Sequence, residues 1–507
     1  MSNQNDSHVS RRGWLTRSTG ALAGGLAGAE IFGGLTARAE ALTAGRKGVL
    51  TSPGYGELRP AGNELALPPG FQYSVISYED EKMSDGFPVP KAMDGMGAFP
   101  LPNGNVMLIR NHEDAEPASR LRPRPVGSTS TSAGILNHLL STHYGPRNFA
   151  YDAFAGGGNT SIEVDPRTRR RVREHWSLVG TVRNCAGGVT PWGSWLSCEE
   201  TYDSQAATGA EKDHGYVFEV PVDTAPGQPA APVPLKTMGR FRHEATAVDP
   251  ATGIIYETED EGDVSGFYRY VPERRVTRPG ELATLGGRLE MMKVAGQNRF
   301  ETAIGQTVGV KLGVTWVPVL DPDPNPVSLV VSGVTQSTVF TQGLAMGGAV
   351  FRRLEGIWYR DQKIYFTSTN GGEEGLGQVW VYEPGAETLA LVFETPQLHL
   401  MDFPDNLAVS PRGGLVLCED GGGANHLLGI TPAGELFYFA RNIHNSTEFA
   451  GACFSPDGET LFVNIYGRAT VRTTRPYKSP LEVPIGAELR EKALTLAIWG
   501  PWGKGLL

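Results

Sequence analysis

The segment RNCAGGVTPWGSWLSCEE, residues 183–200, places one cysteine before two glycines and ends on a pair of carboxylates. A thiolate is a good ligand for iron or zinc, whereas clustered carboxylate oxygens suit calcium. Polar residues precede Cys185, while the other three cysteines lie inside apolar runs that are typical of buried core positions. Cys185 is therefore the cysteine that we expect at a metal centre and in catalysis.

Acidic motifs of this kind recur along the chain, and the segments that carry them share one plan. Each has a polar start, an apolar run, a turn rich in Gly, Pro or Asp, a second apolar run and a polar end, which predicts a β-hairpin. The six segments begin at Asp94, Arg183, Arg242, Arg353, Asp402 and Glu448.

Six hairpins predict an all-β fold, a six-bladed β-propeller with long loop insertions. In a hairpin the start of the first strand and the end of the second lie together, far from the turn. If the hairpins are the inner strands of blades, their polar ends therefore surround one mouth of a central channel. The last strand, within LTLAIWGPW, is expected to close the ring with FQYSVISY near residue 71. The insertion over residues 274–348 is not placed by this pattern.

Acids far outnumber bases among the residues at these strand ends. Carboxylates gathered at one mouth raise one another's pKa and repel unless cations neutralise them. Three interpretations stay open on this basis, namely a transition metal with calcium, calcium alone, or a structural cysteine among solvated acids. The strand-end residues are Asp94, Asn111, His112, Glu113, Arg183, Asn184, Cys185, Glu199, Glu200, Arg242, His243, Glu244, Glu259, Asp260, Arg353, Glu355, Asn370, Asp402, Asp405, Asn406, Glu419, Asp420, Glu448 and Asn464.

Three arginines, Arg183, Arg242 and Arg353, each begin one of these units. Guanidinium groups bind tetrahedral oxyanions through paired hydrogen bonds, and metals together with arginine are typical of phosphoryl transfer. The common alternative for each arginine is an ion pair with a neighbouring carboxylate. The sequence contains no phosphate-binding P-loop, no GxSxG motif and no HExxH motif, so those hydrolase classes have no support.

The charge and the amino terminus restrict the partners. With 45 basic and 55 acidic residues the net charge is -10, which argues against nucleic-acid binding. Adjacent Arg11 and Arg12 precede a short apolar stretch and the small-x-small site Ala37-Arg38-Ala39, which predicts a twin-arginine signal peptide over residues 1–39 rather than a membrane span. We expect residues 40–507 to form one propeller domain, exported as a monomer to the periplasm or beyond.

Several of these motifs resemble one known family. The segments RNCAGGVTPWGSWLSCEE, GRFRHEATAVDP, RLEGIW and PDNLAVSPRGGLVLCEDG, with the TED of YETEDEG, resemble the bacterial PhoX alkaline phosphatases. The resemblance implies a six-bladed propeller whose mouth holds two Fe³⁺ and two or three Ca²⁺ ions. It also implies hydrolysis of small phosphate monoesters outside the cytoplasm, after export by the twin-arginine translocase.

The resemblance further implies roles for individual residues. Cys185 would bridge the irons, with Glu259 and Glu355 as carboxylate ligands and Glu244 competing with Glu259. Arg353 is similar to the arginine that binds the phosphate. Further candidate ligands, for calcium or shared, are Asn111, Glu113, Glu199, Glu200, Asp405, Asn406, Glu419 and Asp420.

Two other functions remain as alternatives at this point. A calcium-dependent propeller lactonase or related ester hydrolase needs no thiol, so it would tolerate the loss of Cys185. A non-catalytic propeller would use its mouth only to bind a partner.

Overall fold

The computed structural model describes residues 51–114, 142–204, 210–397, 400–467, 492–505 and 507. The expected signal peptide, residues 1–39, lies outside the described residues. The regular secondary structure of the described residues is almost entirely β-strand. Three short strands come first, namely β1 (Arg59–Pro60), β2 (Leu65–Leu67) and β3 (Gln72–Tyr78).

Two antiparallel sheets follow in the amino-terminal half. The first has four consecutive strands, β4 (Met93–Pro100), β5 (Val106–His112), β6 (Gly157–Asp165) and β7 (Arg170–Thr181). The second has three, β8 (Asn184–Val189), β9 (Ser194–Glu199) and β10 (Val217–Pro221).

The third sheet contains much of the insertion that the sequence pattern did not place. Its strands are β11 (His243–Val248), β12 (Ile255–Glu259), β13 (Phe267–Pro272), β14 (Gly287–Val294) and β15 (Lys311–Val319). A small hairpin, β16 (Ser328–Val331) and β17 (Val334–Ser337), then leads into helix α1 (Thr338–Ala345). The Ser337 side chain caps this helix by accepting a hydrogen bond from the Phe340 amide.

Two further complete sheets come next. One has strands β18 (Leu354–Arg360), β19 (Lys363–Ser368), β20 (Gln378–Glu383) and β21 (Thr388–Glu394), and β15 joins it to the third sheet by pairing with β21. The other has β22 (Pro404–Val409), β23 (Leu415–Glu419), β24 (His426–Ile430) and β25 (Leu436–Asn442), and it is extended by β2 and β1.

The last sheet joins the two ends of the chain. It consists of β26 (Phe449–Phe454), β27 (Leu461–Ile465) and β28 (Leu494–Trp499), followed by β3 from the amino terminus. The pairing of β28 with β3 confirms the expected closure between LTLAIW and QYSVISY. Within the described residues there are also four short 3₁₀ turns, at Arg147–Phe149, Lys236–Met238, Pro384–Ala386 and Trp502–Lys504.

All six expected hairpins are present as antiparallel pairs, β4–β5, β8–β9, β11–β12, β18–β19, β22–β23 and β26–β27. Their first strands contact one another in the cyclic order β4, β8, β11, β18, β22, β26 and back to β4. Apolar side chains fill the space between neighbouring sheets; for example, Leu108 and Ile162 pack with Phe462 and Ala497. The fold is therefore all-β and propeller-like, with the first strand of each hairpin around a common axis.

The sheets are not equally complete. Four contain an unbroken meander of four consecutive strands, β4–β7, β11–β14, β18–β21 and β22–β25. The closing sheet obtains its fourth strand from the other end of the chain, and the β8–β10 sheet has three strands. The described residues contain no helix that is long and apolar enough to span a bilayer.

Candidate active site

The same irregularity occurs near the start of every inner strand. Each one carries a one-residue β-bulge against its hairpin partner, directly after the first or second paired residue. A bulge bends the strand and redirects the side chain at that point. The residues at the bulge position are Asp94, Cys185, Glu244, Glu355, Asp405 and Gly451.

Four of these six residues carry carboxylates, and acids from other strand ends join them. Ligand oxygens of Glu244, Glu355 and Asp405 lie within 4.8 Å of one another, although they come from three successive sheets. Asp405 also belongs to a second group with Asp420 and Glu448. We call the whole set the axial acids, namely Asp94, Glu113, Glu200, Glu244, Asp260, Glu355, Asp405, Asp420 and Glu448.

Burial and mutual repulsion hold protons on several axial acids. The pKa values of Asp94, Glu244, Glu355 and Glu448 lie well above the ordinary range, first because the groups are buried and then because neighbouring carboxylates repel a further negative charge. Burial and Asp260 raise the pKa of Glu200 to about 8, and burial and Asp420 raise that of Asp405 to about 7. Multivalent cations would relieve this repulsion, so the donor set fits a metal centre.

A second set of acids, adjacent in sequence to axial acids, lies on the opposite face of the strands. Glu199, Glu259 and Glu419 precede Glu200, Asp260 and Asp420, and successive side chains of a strand point to opposite faces. We call these three the wall acids. They are almost completely buried, and the structure does not bring them into the axial groups.

The carboxylates of the wall acids accept hydrogen bonds from donor groups of the protein itself. Glu199 accepts hydrogen bonds from the amides of Val182, Gly215 and Tyr216 and from the His214 ring. Burial alone would lower the pKa of His214, but the carboxylates of Glu199 and Asp152 raise it to about 9.

Glu259 and Glu419 are held in the same manner. Glu259 accepts hydrogen bonds from the Gly266 amide at 2.9 Å, the Tyr268 hydroxyl at 2.6 Å and the Ser337 hydroxyl. The carboxylate of Glu419 accepts from the amide of Asp402 and from the amide and ring of His426. These contacts tie each strand end to the neighbouring loop, and through Ser337 they tie the third sheet to the insertion.

Cys185 occupies the bulge position between Asp94 and Glu244 in the cyclic order of inner strands. It is 3% exposed, and its Sγ lies 3.1 Å from the carbonyl oxygen of His243 and 3.4 Å from that of Glu244. Burial first, and then the charges of Glu244 and Glu200, raise the pKa of the thiol well above its usual value. It also packs in an apolar cluster with Leu196, and it belongs to neither of the two close acid groups.

The two asparagines expected as ligands connect neighbouring sheets. Asn111 donates to the carbonyl of Ala186 at 2.6 Å and accepts from the Trp195 indole at 2.8 Å. Asn406 donates to Asp405 at 2.6 Å and accepts from the Gly451 amide at 2.6 Å. Their side chains hold the bulged segments in position beside the axial acids.

Arg353 enters the mouth among the axial acids. Its Nε donates to Asp260 at 3.1 Å, and one Nη donates both to Asp260 at 3.3 Å and to Glu355. Its backbone is left-handed, with φ of 40°, as is that of Arg183, with φ of 50°. Such angles are uncommon in residues other than glycine and accumulate at functional sites.

Three axial acids were not assigned as ligands from the sequence, namely Asp94, Asp260 and Glu448. Each appears among the polar strand ends, so the signal was present in the motif. The bulge, which the pattern does not show, redirects Asp94, whereas Asp260 and Glu448 lie just outside the paired strands.

A profile described as "Alkaline phosphatase PhoX" matches residues 54–468. The chain belongs to this family. The PhoX phosphatases hydrolyse phosphate esters, so this protein is an alkaline phosphatase that acts on small phosphate esters. The family assignment favours the phosphatase over the lactonase and the non-catalytic alternatives.

Solved structures agree with the fold. The structure of Pseudomonas fluorescens PhoX in complex with vanadate, a transition-state analogue, superimposes with a TM-score of 0.59 at 18% identity, covering 89% of this chain and 98% of the other. That likeness supports a β-propeller fold.

Two other solved structures are less similar. A gluconolactonase from Xanthomonas campestris has a TM-score of 0.37 at 11% identity, over 87% of this chain and 99% of the other. A luciferin-regenerating enzyme has a TM-score of 0.36 at 11% identity, over 68% and 85%. Neither likeness bears on the function. A search of curated protein sequences gives no match.

Proposed function

We propose that the axial acids hold the metal centre of this PhoX phosphatase, with two Fe³⁺ and two or three Ca²⁺ ions. The observation that supports this most strongly is the convergence of nine carboxylates from separate strand ends on one mouth, where several have strongly raised pKa values. Carboxylates in that environment need counter-charge, and multivalent cations supply it.

The types of ligand suggest a division of the site. Cys185, Glu244 and Glu355 combine a thiolate with carboxylates, which suits iron. Asp405, Asp420 and Glu448 offer oxygen only, which suits calcium, and their ligand atoms lie within 4.8 Å of one another. We assign Glu200, Asp260, Glu113 and Asp94 to complete these shells. We assign a structural role to the wall acids and the two asparagines, because donor groups of the protein already hydrogen-bond to their oxygens.

Cations held there would supply charge that polarises the phosphoryl group and lowers the pKa of the attacking oxygen. Arg353 binds the phosphoryl oxygens with the donors that Asp260 and Glu355 leave available. Both carboxylates fix the plane of the guanidinium before substrate arrives, so little reorganisation is needed when negative charge develops. We therefore assign Arg353 as the catalytic arginine.

Finer features of the architecture belong to the same proposal. We count six blades, taking the three-stranded β8–β10 sheet and the sheet closed by β3 as the fifth and sixth. Residues 40–507 would form a single domain, active as a monomer. The paired arginines support export by the twin-arginine translocase to the periplasm or the medium, with removal of residues 1–39.

Hydrolysis of p-nitrophenyl phosphate by the exported, purified protein tests this proposal. We expect release of phosphate that a chelator abolishes and that added iron and calcium restore. Absence of turnover in protein that contains both metals would overturn it.

A further inference from the structure

Two arginines at the rim of the mouth have no role in the proposed mechanism. Arg183 and Arg242 each lie two residues before a bulge position, as Arg353 does in the following inner strand. Three successive inner strands thus present arginine at the same place. Arg353 is hydrogen-bonded to two carboxylates and has a side chain 22% exposed. Arg183 and Arg242 differ from it in both respects.

The guanidinium groups of Arg183 and Arg242 make no hydrogen bond within the described part of the chain. Arg183 Nη1 lies 3.7 Å from one oxygen of Glu200, and Arg242 Nη1 lies 3.8 Å from the other. A second acid, Glu261, lies 3.9 Å from Arg242. These separations exceed those of hydrogen bonds, so the charges attract while the N–H donors stay available. Both side chains reach solvent, being 40% and 34% exposed.

An aromatic ring fixes the orientation of one member of the pair. The Arg242 guanidinium lies 5.1 Å from the centroid of the Tyr202 ring, within the range of a cation–π contact. The Tyr202 hydroxyl in turn donates to Glu261 at 2.9 Å. The Tyr202 ring therefore holds the Arg242 guanidinium in place without offering it a hydrogen-bond acceptor. The Nη groups of Arg242 remain open to an anion.

We propose that Arg183 and Arg242 form a second anion-binding subsite, which selects phosphate monoesters whose leaving group carries a further anionic oxygen group, a carboxylate or a phosphoryl. The proposal rests on the proposed function, because it supposes that the ester phosphate sits beside Arg353. Asp260 links the two places, since it accepts from Arg353 and its amide donates to the Arg242 carbonyl at 3.1 Å. Without these two cations, the acidic rim would repel such a leaving group.

The competing explanation is that both arginines serve only to balance the charge of Glu200. In that case their loss would disturb the metal centre and weaken every ligand alike. A subsite would instead discriminate between ligands by their second charge, which makes the two explanations separable.

The experiment measures equilibrium binding to the metal-loaded enzyme by isothermal titration calorimetry. Three probes differ only at the end remote from the phosphonate: propylphosphonate, 3-phosphonopropionate and propane-1,3-diphosphonate. We expect the wild type to bind at least one doubly functional probe about tenfold more tightly than propylphosphonate. Comparison of 3-phosphonopropionate with propane-1,3-diphosphonate shows whether the subsite prefers a carboxylate or a phosphoryl group. In Arg183→Gln/Arg242→Gln the preference should fall below about twofold.

Arg167→Gln is the matched control, because it removes the same charge from a residue 89% exposed in the β6–β7 turn, at the end of its sheet remote from the mouth. It should keep the wild-type preference. Equal affinity of the wild type for all three probes would overturn the subsite. So would a double variant that keeps the preference, or one that loses metal and weakens all probes equally. If no probe binds and p-nitrophenyl phosphate is not hydrolysed, the proposed function fails together with the subsite.

Discussion

Three of the axial acids directly follow the wall acids in sequence, and the two sets differ in what surrounds their carboxylates. In CEE, TED and CED the first acid of each pair, Glu199, Glu259 or Glu419, receives hydrogen bonds from nearby amides and side chains. The second, Glu200, Asp260 or Asp420, faces other carboxylates around the axis. The comparison teaches that a shift of one residue along a strand separates a structural carboxylate from a candidate ligand.

This difference also separates the two energetic roles. A wall acid is hydrogen-bonded by donors that the protein supplies, so its oxygens need no cation, although burial still raises the pKa of Glu259 to about 7. Burial and neighbouring carboxylates raise the pKa values of the axial acids Asp94, Glu244, Glu355 and Glu448, and cations would relieve this repulsion. Bound metal ions would therefore stabilise the axial acids but not the wall acids, and the two sets are expected to respond differently to substitution.

Substitution of an axial acid gives the largest expected effect. Glu355→Gln removes a proposed iron ligand and a partner of Arg353, so kcat/KM for p-nitrophenyl phosphate should fall about 10³-fold or more. Iron content measured on the same sample should fall with it. A variant that keeps kcat/KM within tenfold of wild type would remove Glu355 from the centre.

Cys185→Ser should give the next largest loss. A hydroxyl is a poorer ligand for iron than a thiolate, so we expect kcat/KM to fall by about 10²-fold. Any visible absorption from ferric-thiolate charge transfer should disappear as well. Cys198→Ser changes the neighbouring buried cysteine in the same way and is the control. Equal activity of Cys185→Ser and the wild type would contradict a role for Cys185 as a metal ligand and indicate that it is only a core residue.

Substitution of a wall acid should lower the stability of the protein and leave its activity nearly unchanged. Glu259→Gln cannot accept all three of its hydrogen bonds as the carboxylate does, so the free energy of unfolding should fall by about 2 kcal/mol. The kcat/KM of the folded fraction should stay within about threefold of wild type. Ser337→Ala, which removes one of these donors and the cap of α1, should destabilise by about 1 kcal/mol. Loss of iron from Glu259→Gln would return Glu259 to the ligand set.

The smallest effect concerns pH. In the metal-free protein the pKa values of Glu200 and Asp405 are raised to about 8 and about 7, so the folded state binds more protons than the unfolded state between about pH 4.5 and 8. The stability of the metal-free protein should therefore fall as pH rises through this window. We expect its melting temperature to drop by about 5 °C from pH 5 to pH 8.

The metal-loaded protein should show a smaller drop, because cations replace the protons on the axial acids while Glu259 and His214, with pKa values raised to about 7 and about 9, still lose protons on unfolding. Parallel melting curves of the two forms over the same pH range test this difference. A melting temperature of the metal-free form that rises toward pH 8 would contradict the raised pKa values.

Much of the fold could be predicted from the sequence, because a hairpin is a local structure. Alternating apolar residues and turn residues located all six inner pairs, and the same alternation located the closing strands β28 and β3. The insertion could not be placed in this way. Its strand β15 pairs with β21, which follows about 70 residues later in the chain, and no local pattern shows such a contact.

The candidate site was predicted in composition but not in detail. The polar strand ends identified the acids of the mouth, including Asp94, Asp260 and Glu448, without separating axial acids from wall acids. The separation depends on the bulges and on distant partners, such as Ser337 for Glu259, 78 residues away. Neither is visible in a two-residue motif, so Glu259 and Glu244 could not be distinguished as ligands by sequence alone.

Elemental analysis of the native enzyme, purified without chelators or added metals, tests the central claim most directly. If the axial acids are a metal centre, each chain should contain two iron and two or three calcium ions, and their removal should abolish hydrolysis of p-nitrophenyl phosphate. Full turnover by protein that contains neither iron nor calcium would contradict the account.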